Sequence, residues 1–419
     1  MTPHNAANAD VVIVGAGPTG LTVALALLAR GSAVTIVDKV EEGNNTSRAA
    51  VVYPATLEEL APYGVSERLV AKGIKSRRFT IRDRDKVLMP VPFDKLPTAF
   101  PFTLLVSQAV TEGVLLERFK QLGGRVLRPR TVTQIEQNDS AITVTLDDGG
   151  QIQAKYVVGA DGAHSIVREQ ARISADRDDR GASYALADVH LTGGVPDDEL
   201  VVYFSPAGHL VVLPLPDGIH RIVAHVDEAP EQPAIPFLQH LMDTRGPKAK
   251  RAIIHDIVWG SRFLTHHSLV SNYRSGRIAL AGDAAHEHSP LGGQGMNLGI
   301  NDAVALGKAL SDIIEGASPN LLDSYNEIQR PIAKQVIRIT DLLTKAATLP
   351  GSLGWIRNLI VDAVGPIIGR RVARRLSLLG YLKKTGERTD LAGRLVPFAE
   401  LTHRAENRPG RIGSKTHGK

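Results

Sequence analysis

Ala9–Asp38 reads ADVVIVGAGPTGLTVALALLARGSAVTIVD, and the order of elements within it decides the fold. The apolar run Val11–Val14 has the character of a fully buried strand. It breaks into Gly15-Ala16-Gly17-Pro18-Thr19-Gly20, after which a helix-length apolar run extends from Leu21 to Ala29 and stops at Gly31. A second strand-like run, Ala33–Val37, ends on Asp38. Strand, glycine turn, helix, strand and acid, in that order, form a dinucleotide-binding unit. Gly15 permits the tight turn, Gly17 lets backbone approach a pyrophosphate, and Gly20 lets helix and strand pack closely. The helix N-terminus offers unpaired amides and partial positive charge to phosphates. Asp38 is placed to accept hydrogen bonds from an adenosine ribose.

Working outward, 419 residues leave room for two domains and a sizeable core. The 43% hydrophobic and 22% charged residues are those of a globular protein in water. There are no cysteines, which excludes a disulfide framework, thiolate metal sites, a cysteine nucleophile and a cysteine-tethered flavin. That fits a reducing cytoplasm, the expected location. The opening MTPHNAANAD has neither a basic n-region nor an apolar h-region, so no signal peptide is predicted. Gly and Pro interrupt the Val11–Ala29 stretch, which therefore does not read as a membrane span. The net charge is +5, with much of the excess near the C-terminus, and gives no sign of a nucleic-acid channel.

Beyond Asp38 a polar loop, Glu41–Ser47, leads to Arg48 and then to a strand-like piece and a short helix ending near Gly73. Ile74–Phe102 is strand-rich, with Pro90, Pro92, Pro97 and Pro101 marking turns or edges. Ser107–Leu122 is an amphipathic helix closed by Gly123-Gly124. Strands are predicted at Thr131–Gln137, Ala141–Asp147 and Ile152–Val158. From Tyr184 to Tyr273 short alternating strands (184–192, 199–204, 210–214, 219–227, 252–259) predict an inserted, mostly antiparallel sheet. A buried strand at Arg277–Ala281 and long helices at Asn297–Glu315 and Asn320–Ala346 follow. Leu349 to about Lys384 is apolar and amphipathic. It either covers the other domains with its basic face in water or lies on a membrane surface.

Two further stretches have the same strand-to-turn character. Val157-Val158-Gly159-Ala160-Asp161-Gly162-Ala163-His164-Ser165, with Arg168 behind it, is a strand, a sharp turn and a helix start. GRIALAGDAAHEHSPLGGQGMN, residues 276–297, delivers Gly282-Asp283 from a strand and opens a helix near Met296 through Gly292-Gly293-Gln294-Gly295. An acid at a strand end suits sugar-type hydroxyls, and a helix N-terminus suits the negative charge of a reduced flavin ring. His286-Glu287-His288 lacks the spacing of a helical two-histidine metal motif and is read as non-metal.

Taken together, the fingerprint, Arg48, Asp161-Gly162 and Gly282-Asp283 resemble the single-component FAD-dependent aromatic hydroxylases, the family of para-hydroxybenzoate hydroxylase, over roughly residues 10–345. The resemblance implies an α/β chain: a glutathione-reductase-like FAD-binding Rossmann domain with an inserted mostly antiparallel β-sheet substrate domain and C-terminal helices. It divides as 1–73, 103–176 and 272–346 for FAD, 74–102 and 177–271 for substrate, and 347–419 for the C-terminal segment. On that pattern Gly15, Gly17, Pro18, Thr19, Gly20, Asp38 and Lys39 surround the ADP half of non-covalent FAD. Arg48 and Gln108 match pyrophosphate and ribose contacts, with Asp161 and Gly282 in the turns beside them. Asp283 matches the acid on the ribityl chain. Pro290, Gly293, Gly295, Met296 and Asn297 lie beside the flavin ring. His164 and Arg168 match positions of transient NAD(P)H contact.

The implied reaction is hydride transfer from NAD(P)H to flavin, then transfer of one atom of molecular oxygen from a flavin hydroperoxide to an aromatic carbon. No obligate catalytic side chain is expected. Leu213 and Leu215 fall about where para-hydroxybenzoate hydroxylase places a Ser and an Arg for the substrate carboxylate, which points to a phenol or polycyclic substrate instead. Tyr203 and His225 are candidates to reach a phenolic hydroxyl, and Pro290 is a candidate to touch the substrate as well as the flavin ring. His266-His267-Ser268 departs from the family pattern, leaving NADH and NADPH both open. Rival readings are a membrane-associated hydroxylase of a prenylated quinone precursor or lipid, a flavin reductase without oxygen transfer, and a non-enzymatic scaffold.

Overall fold

The computed structural model describes residues 7–41 and 48–347 and, further on, 361–363, 365, 369, 371–373, 387–389 and 395–397. The Glu41–Ser47 loop, apart from Glu41, and most of the C-terminal stretch lie outside the described residues.

The Ala7–Val14 strand, whose Val11, Val12 and Ile13 are wholly buried, is central to an eight-stranded sheet. It runs parallel to Val34–Val37 on one side and to Gln151–Gly159 on the other, and Ile278–Leu280 extends the parallel order. Strands buried on both faces read as continuous Val/Ile runs, which is how the sequence announces them. An antiparallel pair, Val132–Gln137 and Ile142–Leu146, is appended to Gln151–Gly159. The Pro18–Leu28 helix and the long Gly295–Ile314 helix cross in close contact; a Cβ at Gly307 would come within 2.5 Å of the Ala26 Cβ.

A second eight-stranded sheet contains Ala175–Thr192 and Ile253–Val270, 18 residues each, paired through several register shifts. These strands are longer than the sequence suggests because bulges carry the pairing past positions where the alternation slips. Lys86–Pro92, with Pro90 and Pro92, is an edge strand, where a missing N–H costs least. Period-two alternation divides the sheet into two buried faces. Leu213, Leu215, Val202 and Phe204 share one cluster with Val51, Tyr53 and Leu291, which lie outside this sheet. Val201, Tyr203, Val212 and Ile222 share another with Leu238, Leu241 and Met242 of a helix, Ile235–Arg245, that the sequence reading did not anticipate.

Within the C-terminal stretch, Val361, Val372 and Ala373 join the first of these clusters. Gly365 sits so near the edge strand that a Cβ would come within 2.5 Å of Leu88 O. These described residues lie against the sheet. No helix among the described residues is long and apolar enough to cross a membrane.

Candidate functional site

The parallel register sets Val14 beside Gly159 and Gly159 beside Leu280, so three turns leave the same edge of the sheet together. That is the edge where open α/β sheets bind ligands. Gly15, at φ +103°, abuts the second turn: a Cβ there would overlap the Ala160 carbonyl. Gly20 is as tightly placed against the Gly15 carbonyl, whereas a Cβ on Gly17 would meet nothing within 4 Å. Closed on one side and open on the other, this cradle fits a pyrophosphate. The Pro18–Leu28 helix has no side-chain cap and no acid in its first turn, leaving its first amides free for an anion. Thr19 fills the gap to the third turn, where a Cβ on Gly282 would lie 2.6 Å from its hydroxyl.

Asp38 ends the second strand with one carboxylate oxygen accepting from Ala16 N and the other from Val40 N at 2.7 Å. The Arg128 guanidinium is 3.7 Å from Asp38, and its buried Nε finds no partner among the described residues. Lys39 beside it is exposed. In the second turn Asp161 accepts from Val167 N at 3.2 Å; burial raises its carboxyl above the usual range, against the pull of Ser165 and the nearby amides. Arg168 donates to Ala163 O at 2.8 Å and Ala284 O at 3.0 Å, binding the second turn to the third, and His164 is exposed. Gln108 accepts from Ala49 N at 3.1 Å and donates to Glu112 at 2.8 Å, so its amide steadies the segment carrying Arg48.

Asp283 is exposed to solvent, with protein packed around it. That crowding raises its carboxyl, while His286 and the exposed Arg48 act in the opposite direction. Behind it, His286 Nε2 lies 2.6 Å from Asp302 Oδ2, and both side chains are wholly buried. Burial would lower the imidazole, but the Asp302 carboxylate outweighs it and the net shift is upward. The same Oδ2 accepts from Gly282 N at 3.2 Å, so this pair fixes the turn that presents Asp283. His288 turns away, its Nδ1 2.8 Å from Ser289 O, and burial lowers it to about 4. Among the described residues no cluster of three or more such groups is arranged to hold a metal ion.

Past Pro290, the turn at Gly292-Gly293 leads into the Gly295–Ile314 helix, which has no side-chain cap and no acid in its first turn. Met296 packs partly buried on the core. Asn297 Nδ2 donates to Val51 O (2.9 Å) and Gly293 O (2.8 Å), and its Oδ1 accepts from Tyr53 N (2.9 Å).

Over this turn stands the first face of the second sheet. Leu213 and Leu215 belong to its apolar wall together with Leu291. Its polar part centres on Tyr184, whose hydroxyl is 3.3 Å from Ser289 Oγ and whose ring stacks on Phe263 at 5.1 Å. His225 meets Tyr184 edge-on at 5.4 Å and stacks on His209 at 5.5 Å. Burial lowers His209 to about 3 and lowers His225 as well, with positive Arg245 adding to both. Tyr203 does not join them. Strand parity turns its side chain to the opposite face, among Leu238, Leu241 and Met242, away from Tyr184, Leu213 and the glycine turn.

Two residues absent from the sequence reading complete the junction. Arg221 is wholly buried, forks onto both Asp188 oxygens (2.7 and 2.8 Å), and donates to the carbonyls of Arg48 and Ala49 at 3.0 Å each. A charged residue in the apolar run Ile219–Val226 was the available signal.

A family model described as an FAD binding domain matches residues 8–340. The rifampicin monooxygenase of Streptomyces venezuelae is 31% identical over 97% of this chain and 85% of its own. The pentachlorophenol 4-monooxygenase of Sphingobium chlorophenolicum is 30% identical over 81% of this chain and 65% of its own. Among solved structures, OxyS anhydrotetracycline hydroxylase from Streptomyces rimosus is 31% identical, with a TM-score of 0.74 over 89% of this chain and 76% of its own.

Proposed function

The chain belongs to the FAD binding domain family and is an FAD-dependent aromatic monooxygenase, and from that footing we propose that it hydroxylates a fairly apolar phenol or polycyclic aromatic, one without a carboxylate, held between the glycine turn and the second sheet. One observation carries the substrate reading: the sheet face over the turn is apolar at Leu213 and Leu215, and its buried cation, Arg221, is already forked onto Asp188. A substrate carboxylate gains nothing from a guanidinium so engaged. Relatives named for pentachlorophenol and anhydrotetracycline support the same class.

Bound at the three turns, FAD supplies hydride acceptance and activation of molecular oxygen. The protein holds and orients. Gly15, Gly17, Pro18, Thr19 and Gly20 receive the pyrophosphate, and Asp38, with Lys39 beside it, receives the adenosine ribose. Arg48, steadied by Gln108, neutralises phosphate charge, and Asp161 shapes the second turn. Gly282 and Asp283 take the ribityl hydroxyls. Pro290, Gly293, Gly295, Met296 and Asn297 line the ring, where helix amides stabilise negative charge on reduction. NAD(P)H visits near His164 and Arg168. Neutral His225, beside Tyr184, accepts a hydrogen bond from the substrate hydroxyl, while the leucines exclude water.

The test is anaerobic flavin reduction by NADH and by NADPH, with and without a panel of phenols, quinones, polycyclic aromatics and benzoates. Strong acceleration by a phenol or polycycle without a carboxylate, followed by oxygen uptake stoichiometric with a hydroxylated product, is the expected result. Preference for a benzoate refutes the substrate reading; reduction with no product hydroxyl refutes oxygen transfer.

A further inference from the structure

Tyr53 stands where the chamber wall meets the glycine turn. Its buried ring lies 6.1 Å from that of Phe93, in the cluster that holds Leu213 and Leu291. Its hydroxyl donates to Gly292 O at 2.6 Å, and its backbone N–H donates to Asn297 Oδ1 at 2.9 Å. Asn297 completes the closure through Val51 O and Gly293 O. Within the turn, Gly293 N donates to Pro290 O at 2.9 Å and Leu291 N donates to Ser289 Oγ at 3.3 Å. Gly292 and Gly293 sit at φ +98° and +61° and bring no side chain of their own.

The other end of the same short segment is anchored as firmly. Val106 N donates to Ala50 O at 3.1 Å, Gln108 N donates to Ala49 O at 2.9 Å, and Arg221 holds the carbonyls of Arg48 and Ala49. Residues 48–53 therefore form a rigid bar from the substrate sheet to the turn, and Tyr53 is the side chain at its far end. Burial keeps its phenol far from ionisation, so the hydroxyl is a standing donor.

We propose that Tyr53 is a positioning residue whose hydroxyl, reaching out of the substrate-chamber wall, sets the 292–297 turn against the flavin ring. This rests on the flavin reading of that turn given above.

Tyr53→Phe removes the hydroxyl and keeps the ring. A neutral hydrogen bond contributes roughly 0.5–1.5 kcal/mol, which converts to about 2- to 10-fold weaker binding. FAD titrated into the apoprotein is expected to show that loss. In the FAD-free protein, peptides covering 289–298 exchange amide hydrogens faster in Tyr53→Phe, while peptides covering 151–159 are unchanged. Tyr53→Leu, which also removes the ring, is the companion variant. If Tyr53→Phe matches wild type in affinity and exchange and only Tyr53→Leu departs, ring packing is the whole role and the proposal is overturned. If wild type itself binds no FAD, the flavin reading fails instead, and exchange at 289–298 still decides whether the hydroxyl holds the turn.

Discussion

Arg221 carries a full charge into a place with no water to receive it, and its cost is offset only while Asp188 stays opposite. Arg221→Met leaves the Asp188 carboxylate without its partner and frees the carbonyls of residues 48 and 49. The expected loss is ~3–5 kcal/mol of unfolding free energy in urea, with Arg221→Met/Asp188→Leu recovering a substantial part of it. Gly15→Ala acts differently. A methyl at φ +103° has to displace the Ala160 carbonyl, so the first two turns separate and FAD affinity falls at least tenfold in an equilibrium titration. Gly15 was legible because its role is local: a strand, a turn and a helix in one run of sequence. Arg221 and Tyr203 were not. In Leu200–Tyr203 all four residues are buried, so alternation says that Val202 and Tyr203 point apart without saying which one meets the substrate.

Among the elements, the Gly295–Ile314 helix does the most joining. Its first turn follows the Gly292-Gly293 turn, Asp302 on its buried stripe holds His286 and Gly282 N, and Gly307 meets Ala26 of the fingerprint helix. Gly307→Val forces three side-chain carbons into a contact already filled by Ala26. It should cost ~1–3 kcal/mol in chemical unfolding with little change in helix content by far-UV circular dichroism. Asp302 makes a pH-dependent contribution. His286 is raised in the folded protein, so the stability it contributes is fully present below the unfolded value of about 6.5 and is lost as pH rises through the folded value. Asp302→Asn should abolish that decline, read as urea midpoints followed upward from pH 6. The helix was visible from its apolar period after a glycine run, whereas Ile235–Arg245 was masked by Pro230, Pro233 and Pro236, which read as loop punctuation although Pro236 sits at a helix start.

At the scale of the molecule, two sheets meet across one cleft. The sequence foretold the sheets better than their meeting, because contacts such as Arg221 to residue 48 link positions 173 apart and leave no local pattern. The meeting also sets how the protein responds to acid. His209 is folded away neutral between Tyr184 and His225, with a value lowered to about 3, and His288 is lowered to about 4. A histidine whose folded value is depressed binds its proton first in the unfolded chain, so stability falls as pH drops below about 6.5. Taking 6.5 unfolded and about 3 folded, His209 alone removes about 2 kcal/mol between pH 7.5 and 5, at about 1.4 kcal/mol per pH unit. His209→Phe keeps a ring against both neighbours and cannot titrate. Urea unfolding of wild type and variant at these two pH values should give curves whose acid loss differs by about that amount. Equal losses would mean that the His209 ring reaches water or a proton donor in solution, and that the polar end of the chamber is looser than its packing indicates.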